Sequence, residues 1–273
     1  VQHCSGGHTI MAYPSFPRES TLDRALARVS GAGRLVRHGW ERILDRVPAD
    51  CALCGGAARG QPLCDACRID VTRTMAGSVI RCPLCALALT QPTCPDCSAR
   101  APAFDQVIAA FDYAAPADLL IQQFKQAHRF SHARVLADML ARAVLARSPA
   151  LPQHTIMVPV PASRVALRRR GFNPAAELAR GLAHRLPYAL RPELLWRVRD
   201  GVGQTGQSRA ERMRSVAHLY SCPERVENAS VAIVDDVLTT GSTLNSIARE
   251  FKAAGASYVV GLVAARTPYS VSK

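Results

Sequence analysis

The thirteen residues from Val231 to Thr243, VAIVDDVLTTGST, constrain the chain more than any others. Val231, Ala232, Ile233 and Val234 form a short apolar run, rich in β-branched side chains, that suits a strand buried on both faces. Asp235 and Asp236 fall where that strand is expected to end. Thr239, Thr240, Gly241, Ser242 and Thr243 then supply hydroxyls and a glycine before a helical pattern from Leu244 to Ala254, closed by Gly255. Such a layout suits a sugar phosphate. Backbone N–H groups and the positive helix end take a phosphate, while carboxylates accept hydrogen bonds from vicinal sugar hydroxyls. Adjacent aspartates at a buried strand's end repel each other unless a ligand or cation is expected there. No Gly-Lys-Ser/Thr ending and no GxGxxG are present in the segment, so it is neither a Walker A loop nor a dinucleotide fingerprint.

At 273 residues the chain has room for one large domain and a small one. Its apolar fraction, 48%, is that of a globular protein, and no apolar run approaches the roughly 18 residues of a membrane span. It begins Val-Gln-His-Cys, without the blocks of a signal peptide, so a cytoplasmic protein is the expectation. Net charge is +13, carried by arginine far more than lysine. Between Pro161 and Ser215 there are twelve arginines against four acids, Glu177, Glu193, Asp200 and Glu211. Bidentate guanidinium groups grip polyphosphates well, and the same excess suits nucleic acid or a plain solvated face.

Eight of the ten cysteines fall into four CxxC pairs: Cys51/Cys54, Cys64/Cys67, Cys82/Cys85 and Cys94/Cys97, with Cys4 and Cys222 left over. Each pair places two thiolates on one knuckle, where both sulfurs reach a single Zn²⁺. Gly55 and Gly56 stand where such a knuckle needs unusual dihedrals. The gaps between successive pairs are nine, fourteen and eight residues. The similar outer gaps favour two Cys₄ sites built from local neighbours, with a cross-braced pairing as the alternative. A redox CxxC normally appears once, near a βαβ pattern. Few large apolar residues occur here, so metal is expected to supply much of the module's folding energy.

Residues 1–39 read as a disordered or helical extension, and 40–100 as the cysteine module. From 101 onward strands and helices alternate. Strands are expected at Phe104–Tyr113, Thr155–Pro161 and Tyr258–Ala265, and helices at Pro116–Arg129, Ser131–Arg147 and, with Asn173 as N-cap and Pro174 at N1, through Leu186. His128 and His132 are read as surface residues. The alternation implies a mainly parallel sheet flanked by helices, with its ligand at the strands' C-terminal ends.

The thirteen-residue stretch resembles the 5-phosphoribosyl-1-pyrophosphate (PRPP) motif of type I phosphoribosyltransferases. Together with the CxxC pairs, Val158-Pro159-Val160-Pro161, Arg168-Arg169-Arg170-Gly171-Phe172-Asn173 and Gln204, Ser208 and Arg212, it makes residues 40–267 resemble the ComF family. These are bacterial phosphoribosyltransferase-like proteins with an N-terminal double zinc ribbon, associated with natural competence. The resemblance implies an α/β fold for residues 101–273. It gives Asp235 and Asp236 to the ribose hydroxyls and Thr239, Thr240, Gly241, Ser242 and Thr243 to the 5-phosphate. Pro161, Ala162, Ser163 and Arg164 would form the pyrophosphate loop, and Arg168 to Arg170 a flexible basic loop closing over the site. Asp235, Asp236, Arg168 and Arg169 would be the catalytic groups, with Mg²⁺ bound through PRPP and Zn²⁺ at the eight cysteines. The family pattern departs here at Pro174, at Gln126-Ala127-His128 after Lys125, and at Ser215. Two functions follow from the resemblance: transfer of phosphoribosyl to an unidentified nucleophile, or a non-catalytic module sensing PRPP and contacting single-stranded DNA or a competence helicase. Oligomeric state stays open, a homodimer included.

Overall fold

The computed structural model describes residues 50–58, 61, 63–76, 79–98, 101–126, 131–147, 149–198 and 219–269. The expectations for the first 39 residues, for residues 40–49 of the cysteine module, for Cys4 and His128, and for Gln204, Ser208 and Arg212 lie outside them. The described residues fall within one compact unit, residues 48–273.

In chain order the elements are α1 (Asp65–Ala76), β1 (Gln106–Asp112), α2 (Asp118–Gln126), α3 (Ser131–Leu145), β2 (Ile156–Pro159), α4 (Arg164–Arg170), α5 (Pro174–Ala183), β3 (Ala189–Leu190), β4 (Trp196–Arg197), β5 (Tyr220–Ser221), β6 (Ser230–Leu238), α6 (Ser242–Ala253) and β7 (Tyr258–Arg266), with a 3₁₀ turn at Pro192–Leu194. Five strands pair in parallel in the order β1-β7-β6-β2-β3, and β4 and β5 make a small antiparallel pair. Crossovers from β2 through α5 to β3 and from β6 through α6 to β7 leave in opposite directions. The β2/β6 boundary is therefore the switch point, where open α/β sheets leave a crevice beyond their C-terminal ends.

Alternation along the strands divides the core in two. Ile108, Ala110, Met157, Ala232, Val234, Val260 and Leu262 point to the side covered by α2, α3 and α5. Val107, Ala109, Val158, Val231, Ile233, Val259 and Val263 point to the side covered by α6. Near-continuous apolar strands follow from burial on both faces. A Cβ at Gly261 would lie 2.6 Å from Leu244 Cδ2, so glycine is what lets α6 approach β7 this closely. No described helix is long and apolar enough to cross a membrane.

Several boundaries differ from the sequence reading. β6 does not end at Val234 but continues through both aspartates to Leu238, because β7 pairs with it along that length. Arg168, Arg169 and Arg170 are not in a flexible loop: they form the last turn of α4, whose N-cap Ser163 accepts from Ala166 N and whose C-cap Gly171 is left-handed. α5 starts as expected on Asn173 and Pro174 but stops at Ala183. His132 is buried, at 2% exposure, with Nε2 2.9 Å from Gln123 Oε1, and is no surface residue.

Candidate functional site

The eight paired cysteines gather as two local clusters, Cys51/Cys54/Cys64/Cys67 and Cys82/Cys85/Cys94/Cys97, each with its sulfurs within 4.8 Å of one another. The cross-braced alternative is not adopted. Four thiolates around Zn²⁺ at about 2.3 Å stand about 3.8 Å apart at a tetrahedron's corners. Cys54 and Cys64 Sγ are 3.8 Å apart, Cys82 and Cys97 3.8 Å, and Cys85 and Cys94 3.6 Å. Those separations fit a shared metal and exclude disulfides, whose sulfurs lie about 2.05 Å apart. The thiols of each cluster are driven apart: burial pushes Cys67 and Cys94 up, and the Cys85 thiol and burial push Cys97 up, while one thiol in each cluster comes down. Burial alone would raise Cys51, but backbone N–H donors including Cys54, Cys64 and Leu53 bring it down to about 6. The Cys97 thiol, then the Leu87 N–H and the Arg266 charge, pull Cys85 down to about 4 against burial.

The clusters sit on opposite faces of the sheet. Cys51, Leu63 and Val71 pack with the α2/α3/α5 side, whereas Cys82, Cys85, Leu87 and Cys94 pack with the α6 side. Two arginine–carboxylate pairs dock the second cluster. Arg81, just before Cys82, bonds both oxygens of Asp112 at the end of β1, at 2.9 and 2.7 Å. Arg266, ending β7, reaches Asp96 between Cys94 and Cys97 at 2.7 Å.

At the switch point the pleat of β6 separates its two acids. Asp236 faces the α2 side, and its Oδ2 lies 2.8 Å from Lys125 Nζ in the last turn of α2. Asp235 faces the other side, near Tyr220, with Oδ1 accepting from the Asp236 N–H at 2.9 Å. Burial and the Asp236 charge push Asp235 up to about 7, and the Asp236 N–H and Lys125 only partly offset this. Thr239, Thr240 and Gly241 then turn into α6. Gly241 is left-handed, at φ 76°, and has no side chain to cap the helix; the Ser242 N–H reaches Thr240 Oγ1 instead, at 3.4 Å. Thr240 and Ser242 hydroxyls bond each other at 3.0 Å.

Residues 160–163 emerge from β2 alongside β6, anchored by Val160 N to Val234 O at 2.9 Å and by Asn173 Nδ2 to Val160 O at 2.9 Å. Pro161, Ala162 and Ser163 therefore share the sheet edge with Asp235 and Asp236, and Arg164, Arg168 and Arg169 stand exposed on α4, which buries no residue of its own. Sequence reasoning assigned no role to Lys125, Arg81, Asp112, Asp96 or Arg266. Asp112 and Arg266 end apolar strands, and a charge at such a place is the signal that could have marked them.

The phosphoribosyl transferase domain profile matches residues 165–268. The DNA utilization protein YhgH of Salmonella typhi is 33% identical over 219 residues, covering 78% of this chain and 95% of that protein. YhgH of Escherichia coli (strain K12) is 32% identical over 219 residues with the same coverage. Competence protein F of Haemophilus influenzae is 32% identical over 167 residues, 59% of this chain and 73% of that protein.

Proposed function

Because the chain belongs to the ComF/YhgH family of DNA utilization proteins, with a phosphoribosyltransferase-like domain and two Cys₄ clusters, we propose that its sheet edge binds PRPP with Mg²⁺. One observation carries this reading. The strand–loop–helix from β6 to α6 brings two carboxylates, four hydroxyl residues and a left-handed glycine to the switch point beside the 160–163 loop. In this reading Asp235 and Asp236 receive the ribose hydroxyls, Thr239 to Thr243 the 5-phosphate, and Pro161 to Arg164 the pyrophosphate. Lys125 yields Asp236 as the sugar arrives. The eight cysteines hold two structural Zn²⁺ ions, and the protein works in the cytoplasm.

In the transfer reaction the bond between the anomeric carbon and the pyrophosphate oxygen breaks, and its electron pair leaves with pyrophosphate. The acceptor's lone pair forms the new bond to that carbon, and its proton passes to solvent. Mg²⁺, when bound, balances the charge of the leaving pyrophosphate. Arg164, Arg168 and Arg169 add to that balance from α4, while the two carboxylates offset the positive charge developing on the ribosyl centre.

The test is calorimetry with PRPP and Mg²⁺ on the wild type, Asp235→Asn and Asp236→Asn. Each lost charge-assisted hydrogen bond costs about 1.5–3 kcal/mol, at least a tenfold rise in Kd. Undiminished binding in both folded variants would remove the ribose assignment. A second reading, a module that contacts single-stranded DNA without turnover, is favoured by the arginine-bearing helix α4, which buries nothing. Release of pyrophosphate from PRPP in the presence of candidate acceptors separates the two.

A further inference from the structure

Arg266 heads the fully buried side chains by volume, at 1% exposure, and its donors point in two directions. Toward the second cysteine cluster, Nε donates to Cys85 O at 3.0 Å and Nη2 to Asp96 Oδ2 at 2.7 Å, with Cys85 Sγ 3.8 Å away. Toward the hydroxyl loop, Nη1 donates to Leu238 O at 3.2 Å and Thr239 O at 2.5 Å, and also to Thr267 O at 2.9 Å. Leu238 ends β6, and Thr239 opens the loop that leads into α6. A second tie runs alongside: Ala103 N, a few residues past Cys97, donates to Asn245 Oδ1 at 2.6 Å in the first turn of α6. Asp96, Cys97, Phe104, Thr240, Ser242 and Arg266 line one cleft, so the cluster and the loop share walls.

We infer that Arg266 is a positioning residue through which metal occupancy of the second cluster, and not of the first, sets the conformation of the Thr239–Thr243 loop. The physical reason is the cost of the buried guanidinium. It is compensated only while Asp96 and the Cys85 carbonyl hold one of its edges, and both stand on knuckles whose shape a metal ion maintains. When the metal leaves, the knuckles relax, the guanidinium loses that edge, and the carbonyls of Leu238 and Thr239 lose their fixed donor. The first cluster packs on the other face of the sheet, away from α6. A device of this kind would let zinc depletion or thiol oxidation weaken ligand binding without unfolding the sheet. The consequence for binding rests on the PRPP reading; the consequence for the loop does not.

The zinc-loaded protein tests it by amide hydrogen exchange in residues 238–245, comparing wild type with Cys54→Ser, Cys94→Ser, Asp96→Asn and Arg266→Lys, with zinc content measured for each. Exchange is expected to quicken at least fivefold in Cys94→Ser, Asp96→Asn and Arg266→Lys and to stay at the wild-type rate in Cys54→Ser. Asp96→Asn retains every thiol ligand, so it answers even where Cys94→Ser does not fold. Reciprocal linkage supplies the second readout: PRPP should slow chelator extraction of one of the two zinc ions in the wild type and of neither in Arg266→Lys. Equal loop exchange in Asp96→Asn, Arg266→Lys and wild type overturns the inference, as does equal protection of both ions by PRPP. A wild type that ignores PRPP while Asp96→Asn still loosens the loop removes the binding proposal and leaves the coupling standing.

Discussion

Lys125 Nζ lies 2.8 Å from Asp236 Oδ2, so a cation from the last turn of α2 holds one of the two acids on which ribose recognition is proposed to rest. Its neighbour Asp235 has no such partner among the described residues and is raised to about 7 by burial and by the Asp236 charge. The pleat of a strand that continues past both residues makes this difference: one carboxylate meets α2, and the other faces the α6 side.

A pH dependence of known sign follows. Asp235 titrates near 7 when folded and about 3.9 when unfolded, so between those values the folded state holds more protons. Its contribution to stability therefore falls as pH rises from about 4 to about 7. Asp235→Asn should raise the Tm at pH 8 and leave it nearly unchanged at pH 4. Lys125→Met should move the Asp235 titration still higher, since the lysine charge lowers it. Thermal melts at the two pH values, with NMR titration of Asp235, check both; an equal Tm gain at each pH would contradict the assignment.

Arg81 and Asp112 dock the second cluster on β1 through a two-pronged pair with side chains 15% and 9% exposed. Burial alone would raise the Asp112 pKa, but hydrogen bonds from Arg81 and Thr74 and the arginine charge lower it overall. Its stabilisation is therefore present above the unfolded value of about 3.9 and is lost as pH falls through the lower folded value. Arg81→Ala strands a buried carboxylate and should cost about 3–5 kcal/mol in urea melts at pH 7. Adding Asp112→Asn should recover part of that loss. Additive losses in the double variant would mean that the pair is not coupled.

Metal analysis of the purified protein should find about two Zn²⁺ per chain. Cys51→Ser should lose close to one equivalent and loosen the packing of Leu63 and Val71, while Cys82→Ser should lose the other and disturb the α6 face. Sulfurs found oxidised in pairs, with no zinc, would sink the metal assignment.

Single-stranded DNA, if it uses helix α4, should bind with an affinity that falls steeply with salt as counterions are released. Arg168, Arg169 and Arg170 changed together to Ala remove three cations from the last turn of α4 and should flatten the log–log slope by about 2. Fluorescence anisotropy across a salt series measures it. An unchanged slope assigns DNA, if it binds at all, to another surface.

Local chemistry made much of this protein legible from its sequence. The CxxC spacing specified two four-sulfur clusters because ligands a few residues apart meet on one knuckle, whichever fold surrounds them. Val231 to Thr243 specified strand, loop and helix because β-branched residues, hydroxyls and glycine each favour one backbone state, and Asn173-Pro174 specified a helix start for the same reason. What β7 does to β6 was not local. Pairing along its whole length carried β6 through Asp235 and Asp236, and only then did the pleat place them on opposite faces with different charges. Helix α4 formed where a basic loop was expected, because Ser163 and Gly171 cap it at both ends. Long-range ion pairs were the least legible. Arg266 and Asp96 stand 170 residues apart, and Arg81 and Asp112 31 apart, so no periodicity links them. Sequence determined which side chains could hold metal and which could face a sugar phosphate; the folded sheet alone decided that the second cysteine cluster and the loop opening at Thr239 would share one buried arginine.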